Sequence, residues 1–241
     1  MRECALLLIL FVWGNAAADG ESILVAVASN FSRTASELAA RFENDTGIAV
    51  RLSTGSTGKL YAQVLNGAPF DRFLAADADR PAVLVTAGRA ESRFTYAVGS
   101  LVVWSATAGD CSKALSEARR VALANPETAP YGRAAREYLQ DAGLWESVAA
   151  RAVYGENIAQ ALQFVATGNA AVGIVARAQL GSPNLPPATC RRDVPTEVHA
   201  PIEQQAVLLS GRSRAAREFL DFLRTQAARG IIERHGYGTG S

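Results

Sequence analysis

A two-lobed α/β fold, with a mostly parallel sheet flanked by helices in each lobe and a cleft between the lobes, is what this sequence predicts. Three observations carry that expectation. Short apolar runs alternate with amphipathic helical stretches along the chain, and this rhythm implies right-handed βαβ units. Several of the strand-to-helix junctions are short, polar or glycine-containing. No proline- or glycine-rich linker divides the chain cleanly, which suits lobes joined by strands that cross between them. The expected division is a first lobe from 19–97 and 199–241 and a second lobe from 98–198.

The elements follow in order. Ser22 to Ala28 is a continuous apolar strand, and Ser29-Asn30 supplies N-cap chemistry for a helix with Phe31, Ala35, Leu38, Ala39 and Phe42 on one face. Gly47 suits its C-terminal cap. Ile48 to Leu52 is a strand, Ser53 to Gly58 a polar turn, and Lys59 to Leu65 a helix stopped by Asn66-Gly67. Phe70 to Ala75 is a strand and Arg80 to Ala87 a helix. Tyr96 to Ser105 reads as one longer strand, followed by a short helix from Ala114 to Arg119. Val121 to Ala124 is a strand, 125–132 a turn, and Arg133 to Ala142 a helix. Ala152 to Tyr154 leads through Gly155-Glu156-Asn157 into a helix from Ile158 to Thr167. Ala171 to Val175 is a buried strand. The stretch 181–196 holds four prolines and reads as irregular. Gln205 to Leu209 is a strand, Ser213 to Arg229 a long amphipathic helix, and Ile231 to Tyr237 a last helical turn.

Composition narrows the function. Lys+Arg 24 against Asp+Glu 23 leave a net charge of +1, so no basic field draws the chain to nucleic acid. Arg2, the apolar run Ala5 to Trp13 and the small residues 14–18 match a secretory signal peptide over 1–18. The run is too short to span a membrane, which takes about 20 residues. A periplasmic location is expected. Cys4 would leave with the signal, so Cys111 and Cys190 remain. In an oxidising compartment they are candidates for a disulfide, with two separate thiols as the alternative. His199 and His235 are the only histidines, too few and too scattered for a zinc site. Asn30-Phe31-Ser32 and Asn44-Asp45-Thr46 match the glycosylation pattern, which short sequences often meet by chance.

Four junctions share one arrangement: Ser29-Asn30, Gly55-Ser56-Thr57-Gly58, Ala129-Pro130-Tyr131-Gly132 and Glu156-Asn157-Ile158. Each lies between the carboxyl end of a strand and a helix, where the first backbone N–H groups lack intrahelical acceptors. With the helix dipole they form an anion site that needs no formal cation. Ligands of open α/β sheets sit at such carboxyl ends. The glycines 55 and 58 would let the backbone approach a ligand. The Gly55–Lys59 segment is no Walker A loop. The first glycine of that motif would fall on Ser53, and Leu60 replaces the magnesium-binding hydroxyl. Lys59 reads as a solvated surface lysine, and Asp71, Asp77 and Asp79 as caps and surface charge. Glu203 reads as a structural hydrogen-bonding group, and Tyr131 as either a lid or interface packing. No catalytic triad or paired-carboxylate arrangement is visible, so no enzyme is expected.

Taken in order, further segments complete a pattern: Val25 to Phe31, Gly55 to Gln63, Gly67 to Asp71, Leu74 to Asp77, Asn125 to Glu127, Pro130 to Gly132, Gly155 to Ile158, Val172 to Val175, and Ile202 to Ala206. Over nearly the whole mature chain this resembles the periplasmic molybdate-binding proteins of ABC transporters. The resemblance implies a type II periplasmic binding fold and an unprotonated tetrahedral dianion, molybdate or tungstate, as ligand. It implies no cofactor and no metal bound as a cation. Carried over position by position, the ligand set becomes Ser29, Asn30, Thr57, Tyr131 and Ile158, the last two through backbone N–H. A tyrosine that one subgroup places after the Gly-Ile-Val strand is replaced here by Ala176, so that contact is absent. Arg72 departs from a usually apolar strand and is expected at a sheet edge. The resemblance also implies a membrane permease as partner and a monomeric chain. The alternatives are a binder of sulfate or phosphate on the same fold and, further off, an exported esterase acting on phosphate or sulfate esters.

Overall fold

A computed structural model describes residues 21–209, 211 and 213–239; the signal peptide expected at 1–18 lies outside them. Two five-stranded sheets organise the chain. The first contains β1 (Ser22–Ala28), β2 (Ala49–Gly55), β3 (Arg72–Leu74), β4 (Ala90–Gly99) and β10 (Ile202–Leu209), in the order β2-β1-β3-β10-β4. The second contains β5 (Leu101–Ser105), β6 (Val121–Ala124), β7 (Ala152–Gly155), β8 (Val172–Ala176) and β9 (Cys190–Asp193), in the order β7-β6-β8-β5-β9. In each sheet four strands run one way and a single strand, β10 or β5, runs against them. Each opposing strand enters directly from the other sheet, so the two crossings tie the lobes together.

The apolar runs become strands because both faces are covered by helices. On one face of the first sheet Ile23, Val25 and Val27 pack with α1 (Ser32–Thr46), α8 (Arg214–Phe222) and α9 (Gln226–Arg234). On the other, Ala26 and Phe73 pack with α2 (Thr57–Leu65) and α3 (Asp79–Thr86). The second sheet is enclosed by α4 (Cys111–Glu117), α5 (Pro130–Asp141), α6 (Trp145–Ala149) and α7 (Ile158–Ala166). Gly47 ends α1 at φ 76°, with its N–H on the Glu43 carbonyl, as a glycine C-cap does. Cys111 and Cys190 form a disulfide with Cα atoms 5.5 Å apart, joining the start of α4 to β9.

Several local expectations change. The strand expected over Tyr96 to Ser105 is two strands in different sheets, parted at Gly99-Ser100. The long helix expected from Ser213 to Arg229 is two, because the Thr225 hydroxyl accepts the Ala228 N–H and caps a new start. Ser29-Asn30 does not cap α1. Ser29–Phe31 forms a 3-10 turn, and neither it nor α1 has a side-chain cap. The stretch 181–196, expected to be irregular, contains β9, which pairs with β5.

Arg72 is not at an edge. It lies in β3, the central strand, and is fully buried. Its register partners are Val25 and Leu208, whose side chains belong to the core face under α8. Nη1 donates to the Asp71 carbonyl, whereas Nε and Nη2 have no partner among the described residues. Burial pulls its pKa down to about 10, so it keeps its charge at neutral pH at a cost in desolvation. Replacing a buried, poorly satisfied charge with an apolar side chain of similar volume is neutral or stabilising, by up to about 4 kcal/mol. Urea unfolding of Arg72→Met is therefore expected to give an equal or higher midpoint. A lower one would assign the guanidinium a stabilising partner.

Candidate functional site

The four junctions meet. Ser29, Asn30, Thr57, Tyr131 and Ile158 all line one small cleft between the two sheets, together with Ser56 and Asn157. Ser29 and Asn30 come from the 3-10 turn after β1, and Thr57 from the first turn of α2 after β2. Tyr131 comes from the first turn of α5 after β6, and Ile158 begins α7 after β7. All four strands present their carboxyl ends to the cleft, the position at which this sheet topology binds ligands.

The donors are arranged by their neighbours. Thr57 Oγ1 accepts the Ala76 N–H at 3.0 Å, which leaves the hydroxyl proton free to donate. Ser56 caps α2 by accepting from the Lys59 N–H, and Asn157 caps α7 by accepting from the Gln160 N–H. Each cap takes the third N–H of its helix. In α2 the Gly58 N–H goes to the Thr128 carbonyl, which leaves the Thr57 N–H, and in α7 the Ile158 and Ala159 N–H groups, without an intrahelical acceptor. α5 begins with Pro130, has no side-chain cap, and offers the Tyr131 N–H as its first donor. No charged side chain lines the cleft. Its positive potential therefore comes from helix termini and aligned N–H groups. With no carboxylate facing it among the described residues, the cleft offers a ligand proton no charged acceptor. It suits a small, fully deprotonated anion.

Behind the cleft lies a buried polar network. Asn30 Nδ2 donates to Gln204 Oε1 at 2.8 Å and to the Tyr237 hydroxyl at 3.2 Å. Gln204 Nε2 donates to the Tyr131 hydroxyl at 3.1 Å, and the Tyr96 hydroxyl donates to Gln204 Oε1 at 3.2 Å. Burial raises all three phenols above their ordinary range, so they stay protonated. Tyr131 is thus more than packing: it lines the cleft, its ring is buried and its hydroxyl enters this network. With its amide buried there, Asn30 has no room for a glycan.

A rim of contacts bridges the lobes. The Gly58 N–H donates to the Thr128 carbonyl at 2.9 Å, and a Cβ at Gly58 would stand 2.9 Å from that same oxygen. Gly58 therefore permits backbone-to-backbone approach of the lobes, not the approach to a ligand expected of it. Lys59, expected to be a solvated surface lysine, is exposed and pairs with Glu156 at 2.8 Å, and Arg133 pairs with Asp79 at 3.1 Å. Such exposed pairs contribute about 0–1 kcal/mol each. Asp77 differs: it is buried and pairs with Arg80. The described residues hold no cluster of metal-ligating side chains. Glu203, expected to form a structural hydrogen bond, is exposed, and its neighbour Gln204 is the buried group. Gln204 and Gln205 are both buried, because β10 is an inner strand of a sheet covered on both faces, so strand alternation does not single out one of them. Gln204 is the residue the sequence reading missed.

A model of the family described as bacterial extracellular solute-binding protein matches residues 23–238. The chain is 44% identical over 231 residues to the molybdate-binding protein ModA of Azotobacter vinelandii, covering 92% of each protein. It is 43% identical to the molybdate-binding protein ModA of Rhodobacter capsulatus, covering 92% of this chain and 90% of that one. The solved structure of the Azotobacter vinelandii periplasmic molybdate-binding protein superposes with a TM-score of 0.85 at 36% identity, over 91% of this chain and 100% of that one. The chain belongs to the bacterial extracellular solute-binding protein family, among its molybdate-binding members.

The Asp77–Arg80 pair yields a stability prediction. Desolvation raises the Asp77 carboxyl above its ordinary value, and Arg80 opposes that shift. A raised folded-state pKa favours the protonated form, so its contribution is greatest below the unfolded value and is lost as pH rises through the folded one. Arg80→Ala strands the buried carboxylate, an expected loss of roughly 3–5 kcal/mol at neutral pH. Measured by urea unfolding, that loss should shrink as pH is lowered toward the ordinary carboxylate range. A deficit independent of pH would refute the assignment.

Proposed function

We propose that this protein captures molybdate, and tungstate alongside it, outside the cytoplasm and delivers it to the membrane permease of an ABC transporter. The observation that carries this reading is the cleft itself: helix N-termini and neutral hydroxyl and amide groups, with neither a cation nor a carboxylate lining it. In this reading Ser29, Asn30, Thr57, Tyr131 and Ile158 hold the anion, Tyr131 and Ile158 through backbone N–H groups. Residues 19–97 and 199–241 form one lobe and 98–198 the other. The chain acts as a monomer, and residues 1–18 direct export. Lobes that each supply part of the donor set close on the ligand because the closed state has more contacts with it.

The donor set bears on selectivity. Phosphate near neutral pH often carries a proton, which would face donors only, and an unsatisfied buried polar group costs roughly 1–3 kcal/mol. Sulfate and molybdate carry none, so cavity size separates them.

Isothermal titration of the anion-free mature protein with molybdate, tungstate, sulfate and phosphate tests the reading. One-to-one binding of the first two, with sulfate and phosphate far weaker, is expected. Preference for sulfate or phosphate would keep the fold and overturn the ligand, and silence with all four would overturn the function. Affinity for molybdate should stay flat from about pH 6 to pH 9, because the buried phenols remain protonated there and the cleft has no carboxylate.

Thr57→Ala removes one hydroxyl donor. It should weaken molybdate binding by roughly 1–3 kcal/mol, the range for a hydrogen bond to a charged partner. Unchanged affinity would exclude Thr57 from the site.

A further inference from the structure

We propose that the Tyr131 hydroxyl seats in a socket made by Gly99, Gln204 and Asn30, and that Gln204 is the positioning residue through which seating aligns the anion donors of both lobes. The inference rests on the oxyanion-binding reading above and adds residues to it that do not line the cleft.

The socket draws on every part of the molecule that closure must bring together. Tyr131 stands at the start of α5, against the second sheet. Asn30 follows β1 of the first sheet. Gly99 ends β4 at one crossing between the sheets, and Gln204 lies in β10 just after the other. The Gln204 carboxamide is used at both ends: Oε1 accepts from Asn30 Nδ2 and the Tyr96 hydroxyl, while Nε2 donates to Tyr131. Gln204 is fully buried, so a departing Tyr131 hydroxyl leaves its Nε2 without that acceptor. Such a group is costly to leave unpaired.

Space makes the same point. A Cβ at Gly99 would stand 2.0 Å from the Tyr131 hydroxyl oxygen, 2.8 Å from Cζ and 3.0 Å from Gln204 Nε2. Gly99 does not have a positive φ, so its requirement for glycine is room for the phenol. Tyr131 therefore has two fixed ends. In the oxyanion-binding reading its backbone N–H holds the anion, while its hydroxyl is held in the socket, with a rigid ring between them. Seating the hydroxyl sets the position of the N–H, and the same carboxamide holds Asn30 on the opposite wall.

The test compares Gln204→Leu, Tyr131→Phe and their combination, with Gly99→Ala as an independent block. Stopped-flow release of molybdate should quicken by between about fivefold and 150-fold in each single variant, the usual span of coupling between sites. Association should change little. The double variant should release no faster than the faster single one, because both substitutions break the same contact. Gly99→Ala should release quickly too. Release at the unsubstituted rate, or effects that multiply in the double variant, would overturn the socket. If the unsubstituted protein binds none of the four anions, the functional reading falls and small-angle scattering decides the socket. Unsubstituted protein more compact than Gly99→Ala would support it, and equal radii of gyration would overturn it.

Discussion

An unpaired backbone N–H at the start of a helix is the interaction on which the rest of this structure depends. Every helix has such groups, and ordinarily side chains or water satisfy them. Here β1, β2, β6 and β7 each end at the same cleft, so the turns and helices that follow them aim their first donors at one small volume. Right-handed crossovers make this possible, because they put the helix starts at the carboxyl ends of the strands. The two sheets then need only face each other by those ends. A neutral cleft gains anion affinity from dipoles already fixed by the fold, and the chain's net charge of +1 is no obstacle.

The crossings between sheets carry a second constraint. Each sheet is completed by a strand that arrives from the other, β5 through Gly99-Ser100 and β10 after the 3-10 turn Thr196–Val198. Continuous strands at the crossing would stiffen it. Instead the chain changes sheet within two residues at one crossing, and near both crossings the β4–β10 pairing shifts register, with Tyr96 of β4 as the extra residue. Buried polar side chains gather just there: Gln204, Asn30 and three tyrosines satisfy one another. An apolar filling would pack as densely but would not distinguish one lobe arrangement from another. Directional hydrogen bonds do, because they are lost when the partners turn away.

The disulfide and Arg72 show where stability and specificity part. The Cys111–Cys190 bond ties β9 to the start of α4, in a part of the chain with few regular elements and several prolines. Arg72 does the opposite: it places a charge inside the first sheet beneath α8. Nothing in the structure explains why this position is not apolar.

The sequence by itself determined the alternation of strands and helices, the four polar junctions and the neutrality of their donors. These are local properties: apolar period, capping chemistry and the uncharged side chains of the candidate ligand residues. Candidate ligand residues such as Thr57 and Ile158 were legible because each stands at a helix start that can be recognised within a few residues. Tertiary structure alone decided the rest. The break at Gly99-Ser100 is invisible locally, since Val98 and Leu101 are both good strand residues and only the pairing partners differ. Gln204 looks like any polar strand residue until the fold buries it against Asn30 and Tyr131, which lie 174 and 73 positions away. Arg72 reads as an edge residue because burying a charge is costly, and only the strand order shows it to be central. Sequence pattern records which groups a segment can offer. Which group meets which depends on contacts between distant segments, and only the folded chain supplies those.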